Sequence, residues 1–261
     1  MSQQRFYTTQ LQAGLGLLDE TRQLLQVYQP GMTASQLYEA ALASGRFPLV
    51  TARRLRNIVA ECFAPRYLRD PHVANLLKLL VDRFTAAEFN QLLFIYTTRA
   101  NLVLADFVRE VYWARYSAGR NDLELEDART FVANSVREGK TQKPWSEITI
   151  KRISSYLMGC CADYGLLTTS GRNQRSIAAY RILPRVAAYL AYELKFSGLG
   201  DNQIVSHADW ELFGLERADV RDQLKRLSLQ GLLIFQAASD VVHIGWTYKN
   251  MEELIDVIAQ S

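Results

Sequence analysis

A chain of 261 residues, 49% apolar and 22% charged, has the composition of a globular protein and length enough for two ordinary domains. Its net charge of +3 argues against a protein that coats nucleic acid strongly by itself. Three cysteines, two of them adjacent (Cys160, Cys161), exclude a disulfide framework and fit a reducing, cytoplasmic setting. The richest apolar stretch, Leu92–Val111, is interrupted by Arg99, Asn101, Asp106, Arg109 and Glu110, so no membrane span is expected. The start, Met1-Ser2-Gln3-Gln4-Arg5, lacks the apolar core of a secretory signal.

In chain order, Phe6–Leu11 alternates apolar and polar residues and reads as an ordered arm. Gly14-Leu15-Gly16 resembles the opening of a dinucleotide loop, but no third glycine follows and no strand precedes it. Glycines before an amphipathic helix, Leu17–Tyr28, are the better account. Pro30-Gly31 ends that helix, and Thr33 caps the next, which runs to Gly45. Thr51 begins a helix to about Phe63 whose Arg53, Arg54 and Arg56 form either a second basic patch or, by default, a solvated face. Asp70-Pro71 is a helix start, and Thr85 with Glu88 makes a capping box for Ala86–Arg99. Asn101 marks a break before Leu102–Tyr116, Gly119 stops that helix, and Leu125–Glu138 is the last of this half. No strand is expected between residues 14 and 138. The fold expectation is mainly α, with residues 1–139 an N-terminal helical bundle.

Residues 139–144 form a short basic linker, after which the texture changes to two winged-helix-like units with short β-hairpins, 140–200 and 201–261. In the first, Ser146 caps a helix with Ile150, Ile153, Leu157, Cys161 and Tyr164 on one stripe, and Trp145 with Ile150 can form a hydrophobic staple. Gly165-Leu166-Leu167 ends it, the loop Gly171–Arg175 follows, and Ile177–Ile182 is the return strand. A helix follows over Arg185–Phe196. In the second unit, Ser206 and Asp209 start a helix, Ala208–Phe213, and Glu216–Leu229 follows with Val220, Leu224 and Leu227 inward. A hairpin runs from Gly231-Leu232-Leu233 through Ser239-Asp240 to Tyr248, and the C-terminal helix Met251–Ile258 closes the chain. The two Gly-Leu-Leu junctions suggest a weak structural repeat.

The charge is unevenly spread. Arg137 to Arg185 holds nine basic and three acidic residues, a net of +6, leaving −3 for the remainder. In a winged helix the helix before the wing enters the major groove while wing and flanks hold phosphates. That pattern makes Lys140, Lys143, Ser146, Thr149, Lys151 and Arg152 candidate DNA contacts, with Arg172, Asn173, Gln174 and Arg175 at the wing tip. Asn173 and Gln174 are equally the residues of any tight loop. In the second unit Arg217, Arg221 and Lys225 share a helix face, beside Asp219 and Asp222, and the hairpin tip is not basic. Winged helices also serve as protein–protein modules, so an adaptor role stands as the alternative, and RNA binding as a third.

Chemistry is sparse. His72, His207 and His243 lack metal-ligand spacing, Cys160-Cys161 reads as core packing, and no Walker loop or serine elbow is present. Glu124, Glu126 and Asp127 are ordinary acids of a first helical turn. No enzyme activity, cofactor or small-molecule substrate is expected.

Three segments together carry a resemblance: Tyr7-Thr8-Thr9 with Gly14 and Leu17–Arg22; Leu104–Val111; and Pro144–Lys151 followed by Tyr164-Gly165-Leu166-Leu167. They resemble the BrxA family, small proteins encoded in bacterial BREX phage-defence islands. The resemblance implies a non-enzymatic, cytoplasmic component that binds double-stranded DNA and works with other BREX subunits, in a system pairing host DNA methylation with phage exclusion. It supplies no catalytic residues. The family has carried an inner-membrane label, which this sequence gives no segment to support. A likeness of the first half to NusB-type helical bundles is fold analogy alone.

Overall fold

The computed structural model describes residues 6–169 and 175–260 and is mainly helical, with two short antiparallel hairpins. Its Cα packing forms two compact units, each discontinuous in sequence: Met1–Lys78 with Leu93–Tyr180, and Leu79–Leu92 with Arg181–Ser261.

The first unit begins with Tyr7, which pairs with Thr141 and donates its hydroxyl to Asp106 over 2.6 Å. Helices α1 (Leu18–Val27) and α2 (Ala34–Ala43) follow, the second closed by the Thr33–Gln36 capping box. Helix α3 (Ala52–Asn57) does not stop near Phe63 as the sequence suggests. It widens into a π-helical stretch, Ile58–Leu68, that carries Pro65. The wider turn tolerates the missing proline N–H. This stretch also brings Arg66 into the core, where its guanidinium donates to the carbonyls of Gly14, Leu15 and Gly16 at 2.9, 3.0 and 3.4 Å. The Gly14-Leu15-Gly16 loop is thus a packing junction. A Cβ on Gly16 would stand 2.8 Å from the Asp163 side chain, whose carboxylate accepts the Gly16 N–H.

Helices α4 (Pro71–Leu80) and α5 (Ala86–Ala100) begin at the expected signals; Glu88 accepts from both the N–H and the hydroxyl of Thr85. Asn101 breaks the path, and α6 (Leu102–Phe107) runs through a π-helical stretch, Val108–Tyr112, into α7 (Trp113–Ser117). Helix α8 (Leu125–Arg137) buries Ala128, Phe131, Val132 and Ser135. Helix α9 (Glu147–Asp163) buries Ile150, Ile153, Leu157, Cys160 and Cys161. Its stripe packs against α8 and the N-terminal turn at Gln10–Ala13.

Strands β1 (Leu167–Thr169) and β2 (Arg175–Ile177) form the first hairpin, in register Leu167↔Ile177. The return strand therefore starts and ends earlier than the expected Ile177–Ile182. Past Ile177 one more hairpin bond forms, from the Ala178 N–H to the Leu166 carbonyl at 2.9 Å, while the Ala178 carbonyl accepts the Tyr112 hydroxyl at 2.5 Å. On its other side β2 meets residues 121–123, where Ile177 N donates to Asn121 O and Leu123 N to Arg175 O.

In the second unit, α10 (Pro184–Phe196) precedes a short helix, α11 (Asp201–Val205), which the sequence reading lacks. Ser206 closes that helix and does not open one. The expected helix Ala208–Phe213 is a single 3-10 turn, Trp210–Phe213, held by the buried Trp210 indole donating to the Ile204 carbonyl at 2.8 Å. Helix α12 (Arg217–Leu229) leads into β3 (Leu233–Ala238) and β4 (Val241–Trp246), and α13 (Met251–Ile258) completes the unit. Strand β4 ends two residues short of Tyr248 because the N–H groups of Thr247 and Tyr248 turn to the Tyr192 hydroxyl.

Both Gly-Leu-Leu junctions make the same helix stop. Gly165 (φ +83°) and Gly231 (φ +74°) take the left-handed conformation. Leu166 N then bonds Cys161 O, and Leu232 N bonds Leu227 O, the six-to-one closure that lets the chain leave as a strand.

Candidate nucleic-acid interface

The residues proposed from sequence meet mainly on α9 and its flanks. The Ser146 hydroxyl accepts the Thr149 N–H at 3.3 Å and lies 3.0 Å from the Thr149 hydroxyl, so both groups close the helix start. Lys151 and Arg152, in the second turn, are exposed, and neither has an ion-pair partner among the described residues. Lys143 in the connection is likewise exposed and unpaired among the described residues.

Two other cations of the first unit are committed within the protein. Lys140 is half-buried, with Nζ 3.3 Å from Glu110 and 3.6 Å from Glu138 and about 6 Å above the Tyr7 and Phe131 rings. Arg175 belongs to β2 and not to the loop tip, and its guanidinium donates to the Met158 carbonyl of α9. That bond ties hairpin to helix. Arg172, Asn173 and Gln174 lie outside the described residues.

Helix α8 contributes a surface that the sequence reading assigned to the bundle. Its outward face, with the first turns of α9, lines a groove of about 540 Å³ that includes Arg129, Asn134, Arg137, Glu147, Ile148 and Lys151. Arg129 pairs with Glu126 at 3.3 Å, and its buried Nε has no hydrogen-bond partner among the described residues. Arg137 bonds the Asn134 side chain. Leu123, buried beside β2, was the available signal that residues 121–123 meet β2, but three residues are too few to read as a strand.

In the second unit one cation of the basic face is ion-paired and another is hydrogen-bonded within the protein. Arg217 donates to the Asn202 side chain (3.1 Å) and the Asp240 carbonyl (2.9 Å), linking α12 to the hairpin turn. Lys225 bonds Asp222 at 2.9 Å and holds that carboxyl below its usual range. Asp219 accepts the Glu216 N–H, so α12 starts on two carboxylates; Arg221 is half-exposed.

Burial pushes the Cys160 thiol up to about 12 and raises Cys62 and Cys161 as well, leaving no thiolate at neutral pH. No group of three His, Cys, Asp or Glu side chains is arranged to hold a metal ion among the described residues. His207 and His243 each face one carboxylate, Asp209 at 3.4 Å and Asp201 at 3.7 Å. No described helix is long and apolar enough to cross a membrane.

A family model described as BrxA matches residues 5–193. A solved structure, a crystal structure of an uncharacterized protein from Magnetospirillum magneticum, is similar with a TM-score of 0.58 and 17% identity. That likeness covers 73% of this chain and 94% of the other. It speaks to fold alone. No curated protein matches the chain.

Proposed function

The chain belongs to the BrxA family, which associates it with BREX phage defence, and from that premise we propose that it is a non-enzymatic accessory subunit that binds duplex DNA through a winged-helix unit. In this reading residues 121–123, α8, α9, β1 and β2 are the parts of a winged helix in chain order, with residues 121–123 as the short strand pairing with β2. Helix α9 enters the major groove, Ser146 and Thr149 stand at its start, and Lys143 flanks it. Arg172, Asn173 and Gln174, which lie between β1 and β2 in sequence, are the proposed wing residues.

The observation that carries this reading is the pair Lys151–Arg152: consecutive exposed cations, without ion partners among the described residues, on the first turns of the helix that precedes a hairpin. Unpaired cations have no protein partner to give up before they meet a phosphate, whereas cations held by carboxylates must first release one. Equilibrium binding of a random duplex of about 20 bp between 50 and 200 mM salt tests it. Wild type is expected to lose about two orders of magnitude over that range if roughly four phosphates are neutralised. Lys151→Gln/Arg152→Gln should reduce the slope of log affinity against log salt by about 1.8. A double variant with wild-type affinity and slope would remove the proposal.

The second unit favours a different role. With Glu216 and Asp219 at the start of α12 and Lys225 paired, its helix face suits a protein partner, in keeping with an adaptor to other BREX subunits. Competition with single-stranded and duplex RNA separates DNA from RNA as the nucleic-acid partner.

A further inference from the structure

The groove between α8 and α9 holds three cations, and the reading above uses only Lys151. Arg129 and Arg137 lie eight residues apart on α8, about 12 Å along its axis. That span reaches past one phosphate of a strand whose charges repeat about every 3.4 Å of duplex axis. Arg137 is exposed and has no carboxylate partner among the described residues. Arg129 meets Glu126 through a terminal nitrogen, and its Nε has no hydrogen-bond partner among the described residues.

In helix-turn-helix docking, the helix ahead of the one in the major groove crosses the phosphate backbone. Helix α8 holds that place in chain order and packs directly on α9. We infer that Arg129 and Arg137, together with Lys151, form a clamp for duplex backbone phosphates in the α8–α9 groove. This inference rests on the DNA-binding reading and extends it to helix α8, outside the unit 140–200. Guanidinium groups suit the role because their planar donors match phosphate oxygens, and such contacts fix orientation without reading bases. Glu126 and Glu147 stand on the same groove, the first already paired with Arg129, so the clamp acts locally and does not attract DNA from a distance.

The test compares the full chain with Arg129→Gln/Arg137→Gln, Arg129→Lys/Arg137→Lys and Lys151→Gln/Arg152→Gln, by anisotropy of a labelled random duplex across the same salt series. The Arg-to-Gln pair should flatten the salt slope by about 1.8 and weaken binding equally on unrelated sequences, while the Arg-to-Lys pair keeps most of the slope. Should the Gln pair unfold, Arg137→Gln alone carries the test, with an expected slope change of about 0.9. Wild-type slope and affinity in the α8 variants, with Lys151→Gln/Arg152→Gln impaired, would overturn the clamp and leave the DNA reading standing. Wild-type behaviour in all variants would overturn both. Poly-L-glutamate binding that depends on Arg129 and Arg137, with duplex affinity untouched, would assign the groove to an acidic peptide instead.

Discussion

The two helix–hairpin regions share their backbone logic and differ in what they do with charge. In both, a helix with a buried stripe ends in a Gly-Leu-Leu stop and leaves as a strand. In both, a tyrosine on an earlier helical segment bonds the hairpin backbone through its hydroxyl: Tyr112 to Ala178 O, and Tyr192 to Leu232 O, each at 2.5 Å. The helix starts diverge. Ser146 caps α9 with a hydroxyl, and although Glu147 lies in its first turn, Lys151 and Arg152 have no ion-pair partner among the described residues, whereas α12 starts on Glu216 and Asp219 and pairs Lys225 with Asp222. A carboxylate at a helix start satisfies the orphan N–H groups and the dipole as well as a hydroxyl does, but it repels phosphate. One scaffold therefore supports two kinds of surface, decided by a few capping and pairing residues.

The contrast is broken most directly by charge removal. Lys151→Gln/Arg152→Gln is expected to cost about tenfold or more in duplex affinity at moderate salt, while Arg221→Gln/Lys225→Gln should change it less than about twofold, both read by anisotropy. Equal losses in the two would mean that both regions bind DNA.

The shared part of the comparison is sharpened by the tyrosines. Tyr112→Phe and Tyr192→Phe each strand a backbone carbonyl, and the second also strands two N–H groups. Each should lower stability by about 1–3 kcal/mol in urea unfolding, Tyr192→Phe by the more. A neutral result at either position would show that the hydroxyl bond is dispensable for hairpin attachment.

A smaller effect, confined to alkaline solution, follows from the same phenols. Burial raises Tyr112 and Tyr192 above the ordinary tyrosine value of 10.0, as it does Tyr7, Tyr164 and Tyr180. The folded state then holds its phenolic protons where the unfolded state releases them. Stability from this source is full below pH 10 and falls as pH rises above it. Thermal melts between pH 8 and 11 should be flat to about pH 10 and then decline, and a decline starting well below that would point to other groups.

The sequence by itself determined most of the helices and where many of them start, because those depend on neighbours three and four residues apart. Thr33, Asp70, Thr85, Ser146 and Gly165 act where their local chemistry says, and α13 falls on its expected residues. Where bonds join distant residues, local pattern had nothing to report. Only the tertiary structure decided that α3 continues through Pro65 to deliver Arg66 to a loop fifty residues earlier, and that Arg175 turns to the Met158 carbonyl. It also decided that residues 121–123 pair with β2 and bring Arg129 and Arg137 beside Lys151. A cation's sequence position fixes its charge, but its freedom to meet a phosphate depends on which carboxylate or carbonyl the fold puts within reach.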